Sequence, residues 1–154
     1  MNRILGIDVG EARIGLALSD ELGMLAHPLE TIQVKAGKPH VKIAGIIRRE
    51  KVEHVVIGLP RNMNGTYGPA AEKCREFARK LGGQVPGVAI HFQDERLTTV
   101  AAQKSLHEAG RNTRKSRPVI DQVAAQLILQ GYLDAQALAQ SFEEPPELPE
   151  FPEP

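Results

Sequence analysis

The 154-residue chain has no tryptophan, a single cysteine and only 4% aromatic residues. With Cys74 alone, no intramolecular disulfide can form, so the fold has no covalent staple and a reducing compartment suits it. The shortage of aromatics leaves little material for stacking on bases, so a nucleic-acid partner would be read through its backbone and shape. No run approaches the about 18 apolar residues of a membrane span. Met1-Asn2-Arg3 leads straight into an apolar segment with no small-residue cleavage site behind it. These absences predict a soluble cytoplasmic protein with no membrane partner. Gly58-Leu59-Pro60 does not match a P-loop, and His27, His40, His54, His91 and His107 show no paired metal-ligand spacing, so the histidines are expected to be structural or solvated.

An excess of one charge is also missing overall: nineteen Lys and Arg offset nineteen Asp and Glu. The balance is uneven along the chain. Glu143, Glu144, Glu147, Glu150 and Glu153 stand in a stretch without a base, so residues 1–142 carry nineteen basic and fourteen acidic groups. Residues 142–154 are rich in Pro and Glu and offer too little apolar surface to offset the entropy of ordering. The expected organisation is one folded domain over 1–141 and a disordered acidic tail over 142–154.

Within the domain, Ile4-Leu5-Gly6-Ile7 running into Asp8-Val9-Gly10, followed by Ile14-Gly15-Leu16-Ala17-Leu18, predicts two strands joined by a tight turn. A third strand is expected from about His27 to Val34. Gly37-Lys38-Pro39 then breaks the chain before a helical pattern that begins at Val41. Val55-Val56-Ile57-Gly58-Leu59 reads as a strand buried on both faces near the sheet centre. Ala70, Cys74, Phe77, Ala78 and Leu81 recur at helical spacing, with Gly82-Gly83 expected to close the helix, and Val88-Ala89-Ile90-His91-Phe92 supplies a fifth strand. Further helices are predicted near 98–109 and 118–140. The fold class is therefore α/β, a mixed five-stranded sheet with three antiparallel strands followed by parallel ones, covered by helices.

Acids stand where elements end: Asp8 at the tip of the first strand, Asp94 and Glu95 at the tip of the fifth, and Asp121 early in the last helix. Ala124, Ala125, Ile128 and Tyr132 lie three, four, seven and eleven residues beyond Asp121, which puts its carboxylate on the apolar stripe beside a polar row of Gln122, Gln126 and Gln130. Each acid taken singly has a simple explanation, as a turn former, a helix cap or a complement to the helix dipole. An ionised carboxylate facing the core nevertheless needs a base, a proton or a metal ion. Together the acids form a hard-oxygen set suited to Mg²⁺ or Mn²⁺, and two such ions serve phosphodiester hydrolysis. Arg111, Arg114, Lys115 and Arg117 fall within seven residues that contain no acid, directly ahead of Asp121, and are the best candidates for phosphate contact.

These residues carry a resemblance. Asp8-Val9-Gly10-Glu11-Ala12-Arg13-Ile14-Gly15-Leu16-Ala17, Gly58-Leu59-Pro60 with Asn62-Met63-Asn64-Gly65, Asp94-Glu95-Arg96-Leu97-Thr98-Thr99, and Asp121 resemble, in order, the blocks of the YqgF/RuvX family of RNase H-like nucleases, over nearly the whole chain to about Ala139. The resemblance implies Asp8, Glu95 and Asp121 as catalytic, metal-binding carboxylates. It places Arg13 and Arg96 near the scissile phosphate, and Gly10, Thr98 and Thr99 as residues that shape the site. Strand alternation alone sets Asp94 with Ile90 and Phe92 and Glu95 with His91 and Gln93, without deciding between them. The main expectation is a metal-dependent endonuclease that resolves Holliday junctions, which would require a two-fold homodimer. The alternatives are a nuclease maturing the precursor of small-subunit ribosomal RNA and a non-catalytic nucleic-acid or ribosome-binding module. Asp8-Val9-Gly10 also resembles the first phosphate motif of actin-like ATPases, but those close nucleotide between two such domains, and this chain builds one.

Overall fold

A computed structural model describes residues 3–62, 64–94 and 117–143 of the chain. The elements run β1 (Arg3–Val9), β2 (Arg13–Ser19), β3 (Ala26–Gln33), a 3-10 turn (Val34–Ala36), α1 (Pro39–Arg49), β4 (Val52–Leu59), α2 (Pro69–Gln84), β5 (Ala89–Asp94) and α3 (Arg117–Glu143). The five strands form one sheet in the order β3-β2-β1-β4-β5. β1 pairs antiparallel with β2, and β2 with β3; β1 pairs parallel with β4, and β4 with β5. This is the mixed sheet expected from the sequence, with the hairpin on one side of the central strand and two parallel strands on the other.

Period-two alternation splits the apolar residues between two faces. Leu5, Ile7, Ile14, Leu16, Val55 and Ile57 pack with Ile43 and Ile47 of α1 and Phe77 and Leu81 of α2. Ala17, Ala26 and Val56 pack on the opposite face with Ala125, Ile128, Leu129 and Leu133 of α3. The helix can lie this close because β1 and β2 present glycine beneath it. A Cβ on Gly6 would stand 2.7 Å from the Leu129 Cβ, and one on Gly15 would run into the Asp121 carbonyl oxygen. Cys74 is buried on its helix stripe, as its spacing predicts.

Three boundaries differ from expectation. α1 starts at Pro39, whose missing N–H is tolerated in a first turn. Gly82-Gly83 does not end α2, which continues to Gln84; Leu81 and Val85 are both buried and hold the last turn, and neither glycine adopts positive φ. The last helix runs past its expected end near residue 140 to Glu143, so Phe142 and Glu143 are helical where the disordered tail was expected to begin. The helix predicted near 98–109 and the rest of that tail, 144–154, lie outside the described residues.

Candidate active site

The site is built where three chain segments converge at the carboxyl end of β1. Asp8 is the penultimate residue of β1 and shares the face of Ile4 and Gly6, the side covered by α3. Its register partner on β2 is Gly15. Because Gly15 has no side chain, the backbone of α3 packs onto it at Asp121, which sets Asp121 next to the Asp8–Gly15 pair. Arg13, two residues earlier on β2 and on the same face, donates Nε–H to Asp121 Oδ2 at 2.7 Å. Both side chains are about a quarter exposed. The core-facing carboxylate expected at Asp121 therefore has a base as its counter-charge, and that base is Arg13. Gly10 closes the β1–β2 turn: its N–H donates to the Arg13 carbonyl at 3.0 Å, and a Cβ there would collide with the same oxygen.

Asp94 stands elsewhere. Ile90 of β5 packs toward the α1–α2 side, whereas His91 meets Tyr132 of α3. Asp94 follows Ile90 in the alternation, away from Asp8 and Asp121, and pairs with Arg61 at 3.0 Å. Arg61 in turn lies over the Tyr67 ring, 4.7 Å from its centroid. Glu95, Arg96, Thr98, Thr99, Arg111, Arg114 and Lys115, together with the side chain of Arg117, lie outside the described residues. Of the expected site residues, the structure thus brings together Asp8, Gly10, Arg13 and Asp121.

Two further groupings have partners that sequence reasoning does not reach. His54 on β4 and His91 on β5 face each other with ring nitrogens 3.2 Å apart, and His91 also contacts Tyr132 at 5.4 Å between ring centroids. Burial, and then the neighbouring His54, lower the pKa of His91. His54, but not His91, lines a groove of about 610 Å³ together with Ile4, Leu22, Met24, Tyr132 and Leu133. The polar row Gln122, Gln126 and Gln130 bonds to β3 and to the turn before it, reaching Thr31, Ala26 and Met24. Both groupings depend on which strand and helix positions face one another, and one sequence does not print that.

The sequence profile of the RuvX family, described as Holliday junction resolvase, matches residues 2–135. The chain belongs to the RuvX family. A relative from Moorella thermoacetica, named "Putative pre-16S rRNA nuclease", is 54% identical over 133 residues, covering 86% of this chain and 94% of its own. A Bacillus mycoides protein of the same name is 43% identical over 136 residues, covering 86% and 98%. Among solved structures, Thermus thermophilus RuvC in complex with a Holliday junction substrate aligns with a TM-score of 0.56 at 16% identity, covering 89% of this chain and 96% of that one. At that identity the likeness shows the fold, which is that of the RuvC-like, RNase H-like nucleases. Membership in RuvX, a family of nucleases, agrees with the resemblance carried by the Asp8–Ala17 and Gly58–Pro60 blocks, and these blocks lie on β1–β2 and at the end of β4.

Proposed function

We propose that this chain is a divalent-metal-dependent endonuclease that acts on the precursor of small-subunit ribosomal RNA. The observation that supports the chemistry is that Asp8 stands in register with Gly15, against which the Asp121 backbone packs, at the end of β1. The substrate is favoured by the names of relatives at 43–54% identity that match nearly their full lengths. The junction reading rests on the family description and on a structural neighbour at 16% identity, which carries fold alone. Ribosomal RNA maturation is therefore the better-supported alternative, and it places the protein in the cytoplasm. No described helix is long and apolar enough to cross a membrane.

Hard carboxylate oxygens brought to one face fit Mg²⁺ or Mn²⁺. Asp8, Asp121 and Glu95 would hold the ions, Glu95 by the family pattern, since Asp94 is turned away and engaged by Arg61. Bound ions of this kind activate a water and stabilise the leaving oxygen of a phosphodiester. The chain's own contribution is orientation. Arg13 fixes the Asp121 carboxylate through Nε, and its guanidinium has further N–H groups to offer a non-bridging phosphate oxygen. Arg96, Arg111, Arg114, Lys115 and Arg117 would hold the polyanion by sequence-independent contacts, and Thr98 and Thr99 would shape the site.

The test incubates the protein and its Asp8→Asn and Asp121→Asn forms with precursor ribosomal RNA, single-stranded DNA and four-way DNA junctions, in Mg²⁺, Mn²⁺ or chelator. Preferential RNA cleavage that is lost in both variants and in chelator is the expected result. Paired symmetric cuts in the junction by a dimeric species would shift the assignment to a resolvase. Binding without cleavage of any substrate would make the chain a non-catalytic module.

A further inference from the structure

Gln33, the last residue of β3, stands in register with Arg13, and the Val34 N–H donates to the Ala12 carbonyl at 3.0 Å. The segment that follows, residues 34–42, is thereby fastened to the turn that supplies Arg13. It contains Lys35, Lys38, Lys42 and His40 and no acid. All three lysines are exposed. Among the described residues, none of them forms an ion pair with a carboxylate, whereas Arg3, Arg13, Arg61 and Lys73 do. Lys42 reaches only the Ala36 carbonyl, at 3.4 Å.

Folding does not account for this choice of residues. Lys38 is the N-cap of α1, yet it makes no side-chain cap bond and holds a left-handed conformation at φ 46° that glycine or asparagine adopts more readily. The first turn of α1 has no acid, and cations at a helix N-terminus oppose its dipole. The charge is retained where it works against local structure, at the end of the sheet that holds Asp8 and Asp121. α1 and α3 cover opposite faces of the sheet, and this basic segment leads into α1, on the face away from α3.

We propose that the connection from β3 to α1 is a second contact surface for the phosphodiester backbone of the substrate, with Lys35, Lys38 and Lys42 supplying the charge. The inference rests on the reading of the chain as a nuclease and extends it to the path of the strand around the β3 edge. The surface reads phosphates and no base edges, because its charge is carried by flexible lysine ammonium groups, which lack the planar fork that fits a base edge.

The full-length chain with Lys35→Gln, Lys38→Gln and Lys42→Gln is compared with the parent and with the corresponding triple Arg form. Binding to a labelled single-stranded RNA oligonucleotide and to a labelled DNA duplex is measured in chelator across a salt series. The expected result is an affinity at least about tenfold weaker for the Gln form and a salt slope shallower by roughly 2, with parental values in the Arg form. The melting temperature of the Gln form should equal or exceed the parent's, which a merely structural role would not allow. In cleavage, KM rises while kcat at saturation stays unchanged. Loss on either polymer supports the surface and tells which one it tracks. Unchanged affinity and slope on both, in a parent that still cleaves, overturns the surface and leaves the nuclease reading intact. A parent that neither binds nor cleaves any substrate overturns both.

Discussion

Arg13 is the residue through which strand, helix and chemistry meet. Its Nε–H holds Asp121 Oδ2 at 2.7 Å, so replacing it removes the counter-charge of a carboxylate that is mostly covered. Partners that orient a metal ligand are worth about 10–100-fold in metal affinity or activity. Arg13→Gln should accordingly raise the Mg²⁺ concentration needed for half-maximal cleavage by that order, a shift that titration of rate against metal would read and a simple folding defect would not. Asp121→Asn, which removes the carboxylate proposed to hold the ion, should cost at least as much at every metal concentration. Gly15 acts on the same residue sterically. In Gly15→Ala the new methyl meets the Asp121 carbonyl oxygen, and backbone on both sides leaves it little room. Overpacking of this kind costs about 1–3 kcal/mol or more. The measured outcome should be a lower denaturant midpoint together with lost cleavage, because the helix must move at Asp121.

At the scale of elements, α3 is fixed to the sheet by two different devices. Its apolar stripe buries Ala125, Ile128 and Leu129 completely or nearly so, and Leu129→Ala should cost about 2–5 kcal/mol in urea unfolding. Its glutamine row bonds to the beginning of the edge strand: Gln130 Oε1 accepts from the Ala26 N–H at 2.9 Å, and Gln126 Nε2 donates to the Ala26 carbonyl at 2.9 Å. Unpaired groups on an edge strand invite pairing with other chains, and here side chains occupy them. Gln130→Ala leaves a buried N–H at Ala26 unpaired, which should cost about 1–3 kcal/mol and speed amide exchange at that residue specifically. These two devices also mark how far the sequence could be read. Hairpin, parallel strands and the Asp121 stripe follow from periods of two and 3.6, which are written locally. The glutamine row was visible as a row, but its partners on β3 were not, since they depend on how the helix is rotated and slid over the sheet. The same holds for Asp94. Alternation separated it from Glu95, and only the packing of Ile90 and His91 on opposite faces showed which side of the sheet each face is.

Across the whole molecule, the sheet keeps the acid–arginine site at one end and places the His54–His91–Tyr132 cluster farther along the α3 face. That separation lets the histidines affect stability without touching the chemistry. Burial and the adjacent His54 hold the His91 pKa below its ordinary value of 6.5 in the folded chain, whereas the unfolded chain titrates near that value. As pH falls through 6.5, the unfolded state takes up a proton that the folded state resists, so it binds more protons and stability declines. Above that range both states carry a neutral ring and His91 contributes no pH dependence. Thermal unfolding between about pH 5 and 7.5 should therefore show a decline toward acid that is smaller in His91→Phe, a variant that keeps an aromatic ring against Tyr132 and cannot charge. An identical acid slope in parent and variant would mean that the proton uptake belongs to other groups. Cleavage by the variant at neutral pH should match the parent, because nothing in the Asp8–Arg13–Asp121 grouping leans on His91.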